Sequence, residues 1–153
     1  MNKKIYIVRN TFLTLATFFM FGLIIYASFS GEKNYKNLSV EEVRSRLQSD
    51  KSEYVLVDVR TEYEYTGELG HLQGALLYPI QNLDTQYHDL KSYQEQGKDI
   101  ILYCRTGNRS RRAAQFLIDH GFEDIYNMEG GMRLWNQQYG RPDGSDTPPP
   151  GVQ

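Results

Sequence analysis

Cys104 is the only cysteine in the chain, and it opens the segment CRTGNRS, residues 104–110. Arg105, Arg109, Arg111 and Arg112 all fall within residues 104–112, and no acid does. A free thiol ionises near pH ~8.5, but nearby cations and a helix N-terminus lower that to roughly 3.5–7.5. A thiolate at neutral pH is a nucleophile that needs no dedicated base. Gly107 permits a tight curl of the chain, because it carries no side chain to clash. In such a curl the backbone N–H groups point inward and, with a following helix N-terminus, form an anion cradle. That cradle suits an anionic substrate first and a charged adduct on the sulfur afterwards. A lone cysteine without such surroundings reads as a small buried core residue; four arginines at a strand-to-helix turn favour chemistry instead.

The flanking segments supply that turn. Ile100–Tyr103, IILY, is the clearest buried strand. Ser110–His120 predicts a helix whose apolar side is Ala113, Ala114, Phe116, Leu117 and Ile118, with Gly121 as its stop. Further strands are expected over 54–59 (YVLVDV), around Ala75–Tyr78 and at Ile125–Tyr126. Helices are expected from Ser39, which forms a capping-box pattern with Glu42, and over 132–139. Residues 61–69 read as a short polar helix or loop, and 83–95 as weakly helical. Alternating strands and helices predict an α/β domain with a mainly parallel sheet and helices on both faces. In such folds the active site lies at the carboxyl ends of the strands, which is where Cys104 falls.

The 153 residues suffice for one ordinary domain. A single cysteine excludes an internal disulfide, a four-cysteine zinc site and a CxxC redox pair. His71, His88 and His120 are not at metal-ligand spacing, so neither a metal nor a cofactor is expected. A net charge of −2 gives no support for nucleic-acid binding.

Charge is unevenly spread. Lys3, Lys4 and Arg9 are the only charged residues before position 31, and all 19 acids lie beyond it. Thr11–Phe29 is an uncharged, mostly apolar run; as a helix it would span roughly 28 Å, close to a bilayer's hydrocarbon core. Residues 1–30 therefore read as a signal or anchor segment. Ser28 and Ser30 offer a cleavage site after Ser30, but the length of the run favours an uncleaved anchor. Either way the basic end stays in the cytoplasm and the domain faces the periplasm or exterior. Residues 31–37 read as a linker, 38–139 as the domain, and 140–153 as a disordered Pro/Gly-rich tail.

Four stretches together resemble rhodanese-like domains, the thiosulfate sulfurtransferase superfamily. CRTGNRS resembles that family's active-site loop; Asp58-Val59-Arg60 with Glu62, Tyr63 and Glu64 resembles its DVR-xEYE segment. Gly70–Ala75 (GHLQGA) resembles its GHIPGA turn, with Gln73 where proline is usual, and Gly130-Gly131-Met132 with Trp135 resembles its closing GG-x-x-x-W. The resemblance covers residues 38–139 and implies a sheet of about five parallel strands. It implies transfer of a sulfane sulfur from a donor such as thiosulfate to cyanide or a thiol, with Cys104 as carrier. Arg105 and Arg109 would bind the anionic donor, and Thr106, Gly107, Asn108 and Ser110 would complete the binding loop. Asp58, Arg60 and His71 read as structural support, and Trp135 as core packing.

Two rival functions share this chemistry. A phosphatase or arsenate reductase uses a cysteine in a similar cradle, but tyrosine phosphatases follow C-x5-R, and here the count from Cys104 to Arg109 is C-x4-R. A persulfide carrier serving another exported protein would use the same loop with a different acceptor. Outside the cytoplasm a lone thiol is exposed to oxidation, so a reducing partner protein is expected.

Overall fold

The computed structural model describes residues 34–48 and 53–142. The apolar run 11–29, its cleavage site and the tail beyond residue 142 lie outside the described residues. Among the described residues no helix is long and apolar enough to cross a membrane.

Five strands form one parallel sheet: β1 (Lys36–Leu38), β2 (Tyr54–Asp58), β3 (Leu76–Leu77), β4 (Asp99–Tyr103) and β5 (Ile125–Met128), in the spatial order β1-β5-β4-β2-β3. The helices are α1 (Val40–Leu47), α2 (Glu62–Thr66), α3 (Leu83–Gln86), α4 (Lys91–Glu95), α5 (Asn108–Asp119) and α6 (Gly131–Tyr139), with a 3-10 turn at Tyr87–Leu90. Every residue of β2 and β5 is buried, and β4 is buried from Ile100 onward. Strand side chains alternate between two cores. Leu56, Ile101 and Tyr103 pack with Val40 of α1, Tyr65 of α2 and Trp135 of α6. Val57, Ile100 and Leu102 pack with Leu83 of α3 and Ala113 and Leu117 of α5 on the other face. The sheet is therefore sandwiched between two helical layers, as the alternation of elements predicts.

Two expectations shift. Lys36 and Asn37 are not linker but part of β1, whose register pairs Lys36 with Tyr126 and Leu38 with Met128. A three-residue polar strand has no pattern of its own, and only β5 makes it a strand. Arg141, read as tail, donates to Gly67 O at 3.4 Å. The expected capping box of Ser39 with Glu42 forms at α1, and the structure adds a second, Thr61 with Glu64, at α2.

The strand order locates the site. From β2 the chain moves outward to β3, whereas from β4 it moves the other way to β5. β2 and β4 are neighbours, with Asp58 opposite Tyr103 at their carboxyl ends. The loops that leave them diverge and open a crevice, the usual ligand position in such sheets.

Candidate active site

Cys104 directly follows β4, and α5 begins only four residues later at Asn108. The connection is too short for anything but a sharp curl, and Gly107 provides it at φ 91°. A β-carbon there would also press within 3.3 Å of Gly130 N and Met128 O. The helix starts two residues earlier than its apolar periodicity predicts, so Asn108 and Arg109 belong to its first turn.

The outer side of the loop is pinned by α6. Met132 N–H donates to Cys104 O and Arg133 N–H to Arg105 O, both at 2.9 Å. Such close approach is open only to glycine at position 131: φ is 57°, and a β-carbon would lie 2.4 Å from Cys104 O. With these carbonyls held outward, the N–H groups face the sulfur. Gly107 N–H donates to Cys104 Sγ at 3.1 Å, and the Ser110 hydroxyl lies 3.5 Å from it.

Cys104 is 1% exposed. Burial raises its pKa, but hydrogen bonds from the Ser110 hydroxyl and from the N–H groups of Ser110, Thr106 and Arg109 outweigh it and leave the thiol below its ordinary value. The sulfur is thus held ready as an anion by dipoles from one loop and one helix N-terminus.

Ser110 Oγ also lies 2.6 Å from Asn127 Oδ1 and 3.2 Å from Gly107 O. One hydroxyl proton thus has three acceptors within reach. Asn127, 2% exposed on β5, is itself fixed by donating Nδ2–H to Asn37 Oδ1 at 2.9 Å. This polar line from the sulfur to β1 was not legible beforehand: Asn127 is one polar residue in an apolar strand.

The loop cations are not equivalent. Arg109 makes a bidentate pair with Glu64 of α2, at 2.7 and 2.6 Å. That pair holds the Glu64 carboxyl down at about 2. Arg109 is raised chiefly by Glu64, with Cys104 adding a smaller attraction. Arg111 donates to Asn108 Oδ1 at 2.9 Å. Arg105 is exposed and makes no ion pair among the described residues. Thr106 and Asn108 are exposed beside it on the loop's outer surface.

Behind the loop, Asp58 and Arg60 form a buried pair, Arg60 Nη2 to Asp58 Oδ2 at 2.6 Å, with further Nε contacts at 2.9 and 3.0 Å. Arg60 Nη2 also donates to Gly70 O at 2.7 Å, so it ties the end of β2 to the turn that carries His71. His71 Nδ1–H donates to Tyr65 O at 3.1 Å, and its ring stacks on Tyr65 with centroids 3.7 Å apart. Burial lowers the His71 pKa, which favours the neutral ring. Gln73 is exposed in the turn. The His/Cys/Asp/Glu side chains among the described residues form no group of three or more suited to a metal.

A shallow cleft of about 210 Å³ opens between α2 and the loop, with Arg105 on one wall and Tyr63, Glu64 and Glu68 on another.

Comparison with known proteins agrees with this geometry. The rhodanese-like domain family matches residues 39–138. A Bacillus subtilis protein, the uncharacterized YqhL, is 32% identical over 127 residues, covering 82% of this chain and 93% of that protein. The tRNA uridine(34) hydroxylase of Staphylococcus saprophyticus is 34% identical over 106 residues, covering 65% of this chain and 31% of the hydroxylase. This chain spans only 25–39% of the length of six of the curated relatives it matches. A crystal structure of a rhodanese-like domain protein from Staphylococcus aureus superposes with a TM-score of 0.55 at 28% identity, covering 65% of this chain and 90% of that one. The match across the folded domain, the cysteine loop included, makes this chain a member of the rhodanese-like domain family.

Proposed function

We propose that this domain is a sulfurtransferase that carries a sulfane sulfur on Cys104. The supporting observation is the Cys104 sulfur itself, an acceptor for inward N–H groups in a loop whose carbonyls α6 holds outward. In the first half-reaction the thiolate attacks the outer sulfur of thiosulfate. An S–S bond forms to Cys104, the sulfur–sulfur bond of the donor breaks, and sulfite leaves with the electron pair. The N–H groups then hold the terminal persulfide charge. In the second half a thiolate or cyanide attacks that terminal sulfur, and the electron pair returns to Sγ. Arg105, which makes no ion pair among the described residues, is the first contact for the anionic donor. Arg109 acts from within its pair with Glu64.

Loop length argues against phosphatase chemistry: the count from Cys104 to Arg109 is C-x4-R, one residue short of the C-x5-R of tyrosine phosphatases. The hydroxylase activity named for some relatives belongs to proteins of which this chain spans about a third.

The assay is thiocyanate formation from thiosulfate and cyanide. Cys104→Ser is expected to abolish it, since a hydroxyl cannot form a persulfide. Substantial residual turnover, or aryl phosphate hydrolysis dependent on Cys104, would contradict the reading.

Residues 11–29 are proposed to hold the domain on the far side of a membrane from Lys3, Lys4 and Arg9. There a reducing partner protein would restore an oxidised Cys104. A reporter active only outside the cytoplasm, fused after residue 139, should be active; an inactive fusion in the soluble cytosol would overturn this placement.

A further inference from the structure

The cleft beside the loop has walls of mixed charge. Of its four charged residues, two are already neutralised: Arg60 by Asp58 and Glu64 by Arg109. The other two, Arg105 and Glu68, are exposed and make no ion pair among the described residues. They are opposite in sign. Tyr63, 86% exposed, and the partly buried Leu69 line the same cleft. Tyr63 is the one large hydrophobic side chain left exposed among the described residues. Its ring offers an apolar face and its hydroxyl a polar tip to a ligand in the cleft.

From these residues we propose that the cleft is an acceptor subsite for a small zwitterionic thiol, an amino-acid-like molecule with an ammonium and a carboxylate near its sulfur. The proposal rests on the sulfurtransferase reading and names the acceptor class for it. Arg105 takes the carboxylate and Glu68 the ammonium, while Tyr63 and Leu69 cover the carbon skeleton. The cleft balances two cations against two carboxylates, so it matches a ligand of no net charge better than a dianion. Thiosulfate, which meets Arg105 in the first half-reaction, has left as sulfite before the acceptor enters, so the same cation serves both in turn. The size agrees: about 210 Å³ falls below the roughly 300–1,000 Å³ of sites for drug-sized ligands. Position agrees as well, because Arg105 is bonded to Cys104 and Glu64 grips Arg109 at the other end of the same loop.

The transfer step balances without any further reagent. The acceptor thiolate attacks the terminal sulfur of the Cys104 persulfide and forms the new S–S bond. The bond from Sγ to that sulfur breaks, and its electron pair stays on Sγ as the thiolate. The product is the acceptor's persulfide.

Two measurements test the proposal separately from the reading beneath it. Domain loaded with thiosulfate is discharged with cysteine, 3-mercaptopropionate (no ammonium), cysteamine (no carboxylate) or 2-mercaptoethanol, at equal thiolate concentration. Cysteine is expected to react with a kcat/KM several-fold above the other three. Glu68→Gln should cut the ratio of cysteine to 3-mercaptopropionate by roughly twofold to fivefold, the scale of an exposed ion pair. Equal rates for the four thiols, or an unchanged ratio in Glu68→Gln, would overturn the subsite. The second measurement needs no sulfur transfer: S-methylcysteine is titrated into unloaded protein and the amide resonances of Gly67, Glu68 and Leu69 are followed. Saturable shifts that 3-(methylthio)propionate does not produce support the subsite, and their absence overturns it. Failure of thiosulfate to load Cys104 counts against the sulfurtransferase reading, while the titration still decides the subsite.

Discussion

Two arginine–carboxylate pairs flank the active loop, and they differ in almost everything but chemistry. Asp58–Arg60 is 0% and 1% exposed, spans two residues in sequence and lies behind the loop. Glu64–Arg109 is 27% and 28% exposed, spans 45 residues and lies at the mouth. The first is buried, with both Asp58 oxygens and the Nε and Nη2 of Arg60 engaged. It fixes the end of β2 against the Gly70 turn. The second is half in water and shares its arginine with the reactive loop. Burial thus sorts one motif into two jobs: the inner pair holds the crevice open in one shape, and the outer pair sets the charge at its entrance.

The largest expected effect comes from breaking the inner pair. Asp58→Ala leaves a buried guanidinium without its counter-ion and should destabilise the domain by about 3–5 kcal/mol. Denaturant unfolding measures it. A loss below about 1 kcal/mol would erase the distinction between the pairs. Glu64→Gln should cost about 1 kcal/mol or less, since a pair at this exposure is screened by solvent, yet it should change the KM for thiosulfate by releasing Arg109. Activity and stability would then separate at the outer pair and fall together at the inner one. The pH dependence has a definite sign. Glu64 drops from an ordinary 4.5 to about 2 on folding, so its contribution to stability is complete above about 4.5. That contribution is lost as pH falls toward 2. In Glu64→Gln, acid unfolding should therefore be less steep across that window; an unchanged profile would contradict the assignment.

A smaller effect tests the polar line behind the sulfur. Ser110 donates to the thiolate, whereas Asn127 competes for the same proton from 2.6 Å. Ser110→Ala should raise the Cys104 pKa, and Asn127→Ala should lower it, each by roughly half a unit to one unit. Thiolate absorbance against pH reads both. Shifts of the same sign would show that Asn127 orients Ser110 and does not compete with the sulfur.

Much of this site was legible before any fold was known, for local reasons. Cys104, Gly107 and the arginines lie within nine residues, and a strand-turn-helix reading needs only the apolar run before them and the periodicity after them. The loop's inward N–H groups follow from that geometry. What escaped the sequence depends on distant pairings. Arg109 was read as an open anion-binding cation, but its partner Glu64 comes from another helix. Gly131 matters because α6 meets the loop's carbonyls, a contact no local pattern encodes. Lys36 and Asn37 looked like linker because an edge strand of polar residues takes its structure from β5 alone. The strand order, and with it the crevice between β2 and β4, is set by how the two cores close around the sheet.

The central claim is that Cys104 carries sulfur covalently, and mass spectrometry of the purified domain after thiosulfate treatment tests it most directly. The account predicts a gain of one sulfur atom on the peptide containing Cys104, removed by cyanide or a thiol and absent in Cys104→Ser. An unmodified Cys104 in folded, reduced protein, or the same mass gain in Cys104→Ser, would contradict it.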